Sequence, residues 1–275
     1  MNAPTNLVLD ASVPLREQLR ADVFLVAVLP LLEVVVAERP HVRKLVQGLS
    51  GKVQFEARDA DLAARLEFDG ESLRVTFGPP EPSTLRFVFG SLAKMNDFFA
   101  GKPSFPRISP WLGIFHPLMT WRTLRLLMVL RILEPPRSEA ALPVPDERAL
   151  RVRLLLYLVT KALERLHRQG HKSMRELAAD SPDRVYQWTV VGTDIAAWLR
   201  MHKGRVKSGR GTNAARRPFV HFVFPDVDAA FAVLTATGSQ MHGFRGGSVV
   251  TYGSPEYTRK MALLMQDVDN LLMEG

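Results

Sequence analysis

The sequence predicts an α+β protein made of two similar modules in tandem, each a mostly antiparallel sheet of about five strands covered by helices. Three observations predict this. A short apolar strand, a turn and an amphipathic helix occur together twice. The order helix, strands, helix, strand, helix runs through both halves. A proline-rich stretch lies between them. Helices gathered on one face of a mostly antiparallel sheet form an α+β layer.

The repeat is read from four matches in the same order. Phe87-Val88-Phe89-Gly90 corresponds to Phe222-Val223-Phe224-Pro225, an offset of 135, and Gly70 corresponds to Gly204, an offset of 134. Upstream, Leu31-Leu32-Glu33 matches Ala162-Leu163-Glu164 (131), and downstream Leu127-Met128 matches Leu264-Met265 (137). Offsets that drift by a few residues are what a duplication with small insertions leaves. The period far exceeds that of solenoid repeats, so each copy is expected to hold its own core. The first module is placed at residues 1–133 and the second at 147–275. Residues 134–146, with four prolines, form the linker.

Each element has its own signal. Long helices are expected over Leu15 to Ala37, with a kink or break at Pro30, and over Glu147 to Gln169. In the latter, Leu154, Leu155, Leu158, Ala162 and Leu166 recur at helical spacing. Strands are expected at Lys52–Glu56, Ala63–Phe68, Ser72–Phe77 and Thr84–Phe89, with Asp69-Gly70 as a hairpin turn. Their counterparts are Arg184–Val190, Ile195–Met201, Arg205–Ser208 and Phe219–Phe224. Helices follow at Ser91–Phe99 and Asp226–Thr235. Closing helices are expected at Thr120–Leu133 and Pro255–Met273, the last with proline in its first turn.

Composition narrows the class. Of 275 residues 47% are apolar and 23% charged, as in ordinary globular proteins. The absence of cysteine excludes disulfides, thiolate nucleophiles and cysteine-ligated zinc. No basic start followed by an apolar run opens the chain. The most apolar stretch, Val23 to Val36, carries Pro30 and Glu33 and is shorter than the roughly 20 residues a span requires. A cytoplasmic protein, at most peripheral to a membrane, is expected.

No catalytic constellation stands out, and neither a catalytic residue nor a cofactor is expected. A Gly-x-Ser-x-Gly elbow, a His-Glu-x-x-His pair and a P-loop are all missing. His167 and His171 have the spacing of a helical metal pair, but Gly170 between them reads as a helix end and no third ligand is near in sequence. No metal is expected. Net charge is +8, which draws phosphates on lipid or nucleic acid alike. The basic segment holds Arg200, Lys203, Arg205, Lys207, Arg210, Arg216 and Arg217 without an acidic residue. It reads either as a solvated hairpin face or as a contact for an anionic membrane or acidic partner. Nucleic acid ranks last, since the stretch offers no aromatic for stacking. The run Pro110 to Leu133 is crowded with large apolar side chains punctuated by Arg122, Arg125 and Arg131. It reads as a closing core helix, or as one that caps a ligand site or dips into an interface.

Element order and residues together resemble the sterol carrier protein 2 family. The resemblance lies in the strand running into Pro225-Asp226-Val227-Asp228 and its helix. It continues through the glycine-rich turn Gly243-Phe244-Arg245-Gly246-Gly247-Ser248 leading into Val249-Val250-Thr251-Tyr252-Gly253, and the final helix with Met261, Leu264, Met265 and Leu271. In the first copy it lies in Phe68-Asp69-Gly70-Glu71, and the copy departs from the family after Gly101, where Trp111-Leu112-Gly113 stands. The family implies an apolar tunnel between sheet and helices, with no cofactor and no catalysis. If such a tunnel exists, Val227, Phe231 and Leu234 line it in the second copy with Met261, Leu264, Met265 and Val268, and Tyr252 and Tyr257 stand at its entrance. In the first copy Leu92, Met95 and Phe99 face Leu124, Leu127 and Met128, with Trp111 and Trp121 at the mouth.

Two functions are therefore expected to compete. One is non-catalytic binding or transfer of a hydrophobic lipid, such as a fatty acid, acyl derivative, sterol-like or isoprenoid molecule. The other is a scaffold in a membrane-associated biosynthetic complex, with both modules packed solid. Residues 1–135 hold 16 basic and 14 acidic groups, and residues 136–275 hold 20 and 14. Affinity for anionic membranes is accordingly expected in the second module.

Overall fold

The computed structural model describes residues 14–108, 116–133, 144–235 and 249–273, so Trp111, most of the linker and the turn 243–248 lie outside the described residues. The chain divides into two compact units, Met1–Arg131 with Leu271–Gly275, and Ile132–Asn270.

In the first unit the expected long helix is broken at Pro30. Proline has no N–H for the helical ladder and its ring crowds the preceding turn. The chain accommodates it by widening. After α1 (Leu15–Val23), residues Phe24–Val28 form a π turn in which the Leu29 N–H reaches the Phe24 carbonyl at 3.0 Å. Helix α2 (Leu31–Glu38) restarts beyond the proline. A short α3 (Pro40–Val46) follows, unexpected from the sequence and begun by proline at its first position.

Strands β1 (Ser50–Ala57), β2 (Ala63–Asp69), β3 (Leu73–Gly78), β4 (Leu85–Phe89) and β5 (Arg107–Ile108) form one sheet in the order β3-β2-β1-β4-β5. Pairing is antiparallel except between β1 and β4, which run parallel. The β2–β3 turn is fixed by Asp69, whose carboxylate accepts the Glu71 and Ser72 N–H groups at 3.0 and 2.6 Å. The Ser72 hydroxyl, which donates to the same carboxylate at 2.6 Å, and then these two backbone bonds hold its pKa down to about 2. Helix α4 (Leu92–Phe99) is capped by the Ser91 hydroxyl, and α5 (Pro117–Val129) continues as a 3-10 turn to Leu133.

The second unit begins with α6 (Pro145–Arg168), which starts two residues inside the expected linker. A short α7 (Lys172–Ala179), also unexpected, leads to the second sheet. That sheet contains β6 (Asp183–Val190), β7 (Ala196–His202), β8 (Arg205–Arg210), β9 (Val220–Phe224) and β10 (Val250–Gly253). Helices α8 (Val227–Thr235) and α9 (Pro255–Met273), the latter as far as Asn270, complete the unit. The sheet order is β10-β9-β6-β7-β8 with β6 and β9 parallel. Read from its other edge, this is the strand order of the first sheet.

Both sheets are fastened by corresponding side chains. Glu33 on α2 accepts the backbone N–H of Val75 on the outer strand β3 at 2.6 Å. Glu164 on α6 accepts that of Ser208 on the outer strand β8 at 3.0 Å. An outermost strand has N–H groups that no neighbouring strand takes up, so a helix carboxylate supplies the missing acceptor. In the same way, buried Gln54 on β1 accepts the Glu81 N–H at 3.0 Å, and buried Gln187 on β6 accepts the Asn213 N–H at 3.0 Å. Each amide tethers the segment joining the third and fourth strands across its sheet. The central ring stacks also correspond. Phe55 lies on Phe87 and Trp188 on Phe222, each pair at 5.0 Å between centroids.

Candidate functional site

Directly paired residues in a sheet share a face. Trp188 is paired with Ala197 and Phe222, and Tyr186 with Leu199 and Val220. Ser208, opposite Leu199, bonds Glu164 of α6 at 2.6 Å, and Arg210, opposite Ala197, lies 5.2 Å above the Tyr157 ring of α6. Tyr186 and Trp188 therefore stand on the helix side of the second sheet, at the places Val53 and Phe55 hold in the first.

The substitution matters because indole brings a donor. Trp188 Nε1 is buried and has no hydrogen-bond partner among the described residues. A buried unpaired donor costs about 1–3 kcal/mol and calls for an explanation. Burial pushes the neighbouring Tyr186 hydroxyl up to about 12 against the pull of Arg184, so it stays protonated. One end of this layer is an aromatic cluster. The Arg184 guanidinium lies 4.5 Å from the Phe219 ring and 4.1 Å from the Tyr257 ring, and Phe219 meets both Tyr257 and Tyr186 edge-on. The unit also buries Met174, Met201, Met261 and Met265, whose flexible thioethers repack readily.

Met261, Leu264, Met265 and Val268 form one buried stripe along α9. Phe231 is buried beneath the Arg151 guanidinium, 5.2 Å from its ring centroid. Val227 and Leu234 are only half-buried, because α8 lies against α6 and β9 and buries Ala230, Phe231 and Val233 instead. Arg148 of α6 holds it there through Asp228 at 2.9 Å. Tyr257 belongs to the aromatic cluster. Tyr252 does not: it is paired with His221, which bonds Thr189 at 2.8 Å on the face opposite Trp188, and it is 61% exposed. The expected pair of entrance tyrosines is thus split between the two faces.

The first unit corrects a larger expectation. Leu92 and Met95 are buried and Phe99 is half-buried, its ring 5.8 Å from Phe24 and 5.7 Å from Phe55, with α4 packed on α1, β1 and β4. Helix α5 packs elsewhere, on α2 and α3, and buries Met119, Thr123 and Leu126. Leu124 and Met128 are exposed and Leu127 is half-buried, so these three do not form the expected wall facing α4. The reason is α3, which takes the inner side of α5, while Arg122 donates to the Gln47 carbonyl at 2.7 Å. Trp121 is likewise exposed, with Arg125 4.7 Å above its ring.

Part of the basic segment is already engaged. Asp183 on β6, outside that segment, accepts hydrogen bonds from Nε and Nη2 of Arg200, each at 2.9 Å, and pairs with Nε of Arg216 at 2.9 Å. The bond from Arg200 is the main reason its carboxyl is held below the usual range. Arg210 lies on Tyr157, while Lys203, Arg205, Lys207 and Arg217 are exposed. Sequence reasoning passed over Trp188 and the roles of Glu164 and Gln187. The available signal was an aromatic with a donor at an inward position of the strand, Tyr186-Gln187-Trp188.

No protein-family model matches the chain, and no curated protein matches it. Several solved structures do, at low similarity. One is described as a UbiJ-SCP2 ubiquinone synthesis protein, 12% identical over 46% of this chain and 96% of that one, with a TM-score of 0.29. A double mutant of the sec-alkyl sulfatase PisA1 is 13% identical over 64% of this chain and 30% of that one, TM-score 0.26. The stereoselective inverting sec-alkylsulfatase Pisa1 from Pseudomonas sp. is 11% identical with the same coverages and a TM-score of 0.24. At these scores none of the likenesses defines a family.

Proposed function

We propose that the chain is two copies of one module and that the second binds a single apolar, lipid-like molecule without catalysis. In this reading the ligand enters the layer between the second sheet and its helices and sets an oxygen atom against Trp188. The observation that carries it is the buried indole N–H left without a partner among the described residues, stacked on Phe222. Burying apolar ligand surface gives about 0.8 kcal/mol per methylene, so affinity comes from the chain and orientation from the indole donor. The corresponding strand order, carboxylates and amides of the two sheets support the duplication. The first module keeps Phe55 where the second has Trp188, and this difference supports placing the ligand in the second.

Native mass spectrometry of protein purified from cells tests the reading, with an added apolar mass as the expected result. Trp188→Phe keeps the stack on Phe222 but deletes the donor. Retained ligand should fall about tenfold, the worth of one hydrogen bond. Stability should change by no more than about 1 kcal/mol, since the lost volume is offset by removing an unpaired donor. A ligand-free wild-type mass would reject the proposal.

A solid scaffold module is the rival, favoured by the closed packing of the α9 stripe. Leu264→Trp separates them. In a solid core it overpacks and costs about 1–3 kcal/mol with no effect on a fluorescent fatty acid. In a layer that opens for a ligand it is tolerated and blocks the probe.

A further inference from the structure

We infer that helix α5 of the first unit is a docking surface for anionic lipid bilayers. Its inner side, Met119, Thr123 and Leu126, is taken up by α2 and α3. Its outer side is nevertheless apolar. Leu118, Trp121 and Met128 are 55%, 52% and 61% exposed, and Leu124 is exposed between them. Spacings of three and four residues place these four with Arg125 on one continuous face. Isolated exposed apolar residues need no explanation, but a contiguous helix face of them marks a contact surface.

Charge selects the occupant. No acidic residue stands between Asp97 and Glu134 in the sequence, and α5 carries Arg122 and Arg125. Of the helices it packs on, α3 adds Arg43 and Lys44 and no carboxylate, while α2 carries Glu33, bonded to Val75, and Glu38 at its far end. Arg125 lies against the Trp121 ring at 4.7 Å, so the pair presents an amphipathic body with a cation at its tip. Tryptophan and arginine around an apolar stripe suit the boundary between acyl chains and anionic headgroups, where phosphates meet the cations and the apolar face leaves water. The exposed bases of the second unit, Arg205 and Lys207, lack such a stripe: their strand partners are His202 and Arg200. The membrane contact is therefore assigned to the first unit, against the balance of net charge between the halves.

Co-sedimentation of the full chain with vesicles of phosphatidylcholine, with and without phosphatidylglycerol, tests this. The wild type should pellet with the anionic vesicles and less so as salt rises. Trp121→Glu with Met128→Glu should weaken binding about tenfold or more, as lost apolar burial and added repulsion act together. Leu118→Glu alone should act in the same direction, and all three positions are exposed enough for unchanged circular dichroism to certify the fold. Arg205→Glu with Lys207→Glu should change binding by less than about twofold. Equal binding by the α5 variants, loss of binding only in the Arg205/Lys207 variant, or failure of the wild type to pellet with any vesicle would overturn the inference. So would a stoichiometric complex with another polypeptide that is lost in the α5 variants, which would give the face to a protein partner.

Discussion

Replacing Glu164 with alanine is expected to cost about 3 kcal/mol and to release the outer strand of the second sheet. Its carboxylate is buried and accepts the Ser208 N–H and hydroxyl at 3.0 and 2.6 Å, Lys161 at 3.1 Å and Arg168 at 2.7 Å. Lys161 and Arg168 are partly exposed and regain water when the carboxylate goes, so most of the loss falls on Ser208. Amide exchange at Ser208 should accelerate along with the drop in denaturant midpoint, and an unchanged Ser208 amide would refute this role. Acid should mimic the substitution. Burial pushes the Glu164 carboxyl up, but Lys161 and Ser208 together outweigh it and hold the pKa below the ordinary 4.5. A carboxyl with a depressed folded-state pKa contributes stability that is present above the unfolded value and lost as pH falls through the folded one. Wild-type stability should therefore decline below about pH 4.5, and Glu164→Ala should flatten that decline. Glu33→Ala, which removes one hydrogen bond from a half-exposed carboxylate, should cost about 1 kcal/mol.

A comparable loss is expected from Gly253→Ala, where strand β10 closes against β9. Gly253 has φ of +111°, and a Cβ there would stand 2.1 Å from the Phe219 carbonyl oxygen. The obstacle is backbone and cannot swing aside, so the pairing of Gly253 with Val220 must open. About 3 kcal/mol is expected, from left-handed strain together with the clash. Gly204→Ala isolates the strain alone: φ is +70° but nothing lies within 4 Å of the added carbon. About 1 kcal/mol is expected there. Thermal unfolding of the two variants side by side checks the difference, and equal losses would show that the clash contributes nothing.

Much of the architecture was legible because local chemistry decided it. Asp69-Gly70 marked the first hairpin, and Pro255 marked the first residue of a helix that runs to Met273. Pro30 announced a break, though not the π turn ahead of it. The short helices α3 and α7 were missed, since seven or eight residues give too few turns for periodicity to register. The parallel pairing of β1 with β4 depends on residues some 30 positions apart, and no local pattern encodes it. For the site, the α9 stripe was readable because its polar and apolar positions separate cleanly. Helix α5 was not: Met119 and Leu126 on one side are as apolar as Trp121 and Met128 on the other, so composition could not choose the buried side. Trp188 was hidden for a different reason. Strand alternation says which way a side chain points, not whether its donor finds an acceptor.

The paired carboxylates at β3 and β8 also bear on how this protein behaves when crowded. A bare sheet margin can recruit a strand from a neighbouring molecule and seed a growing fibre. Glu33 and Glu164 occupy that growth point from within the same chain, each already bonded to an N–H that a newcomer's carbonyl would need. Among the described residues the opposite margins are short, two residues in β5 and four in β10, which offers a poor template. Concentrated stocks should accordingly stay clear near neutral pH, and Glu164→Ala, which bares one blocked margin, should turn turbid before the wild type does.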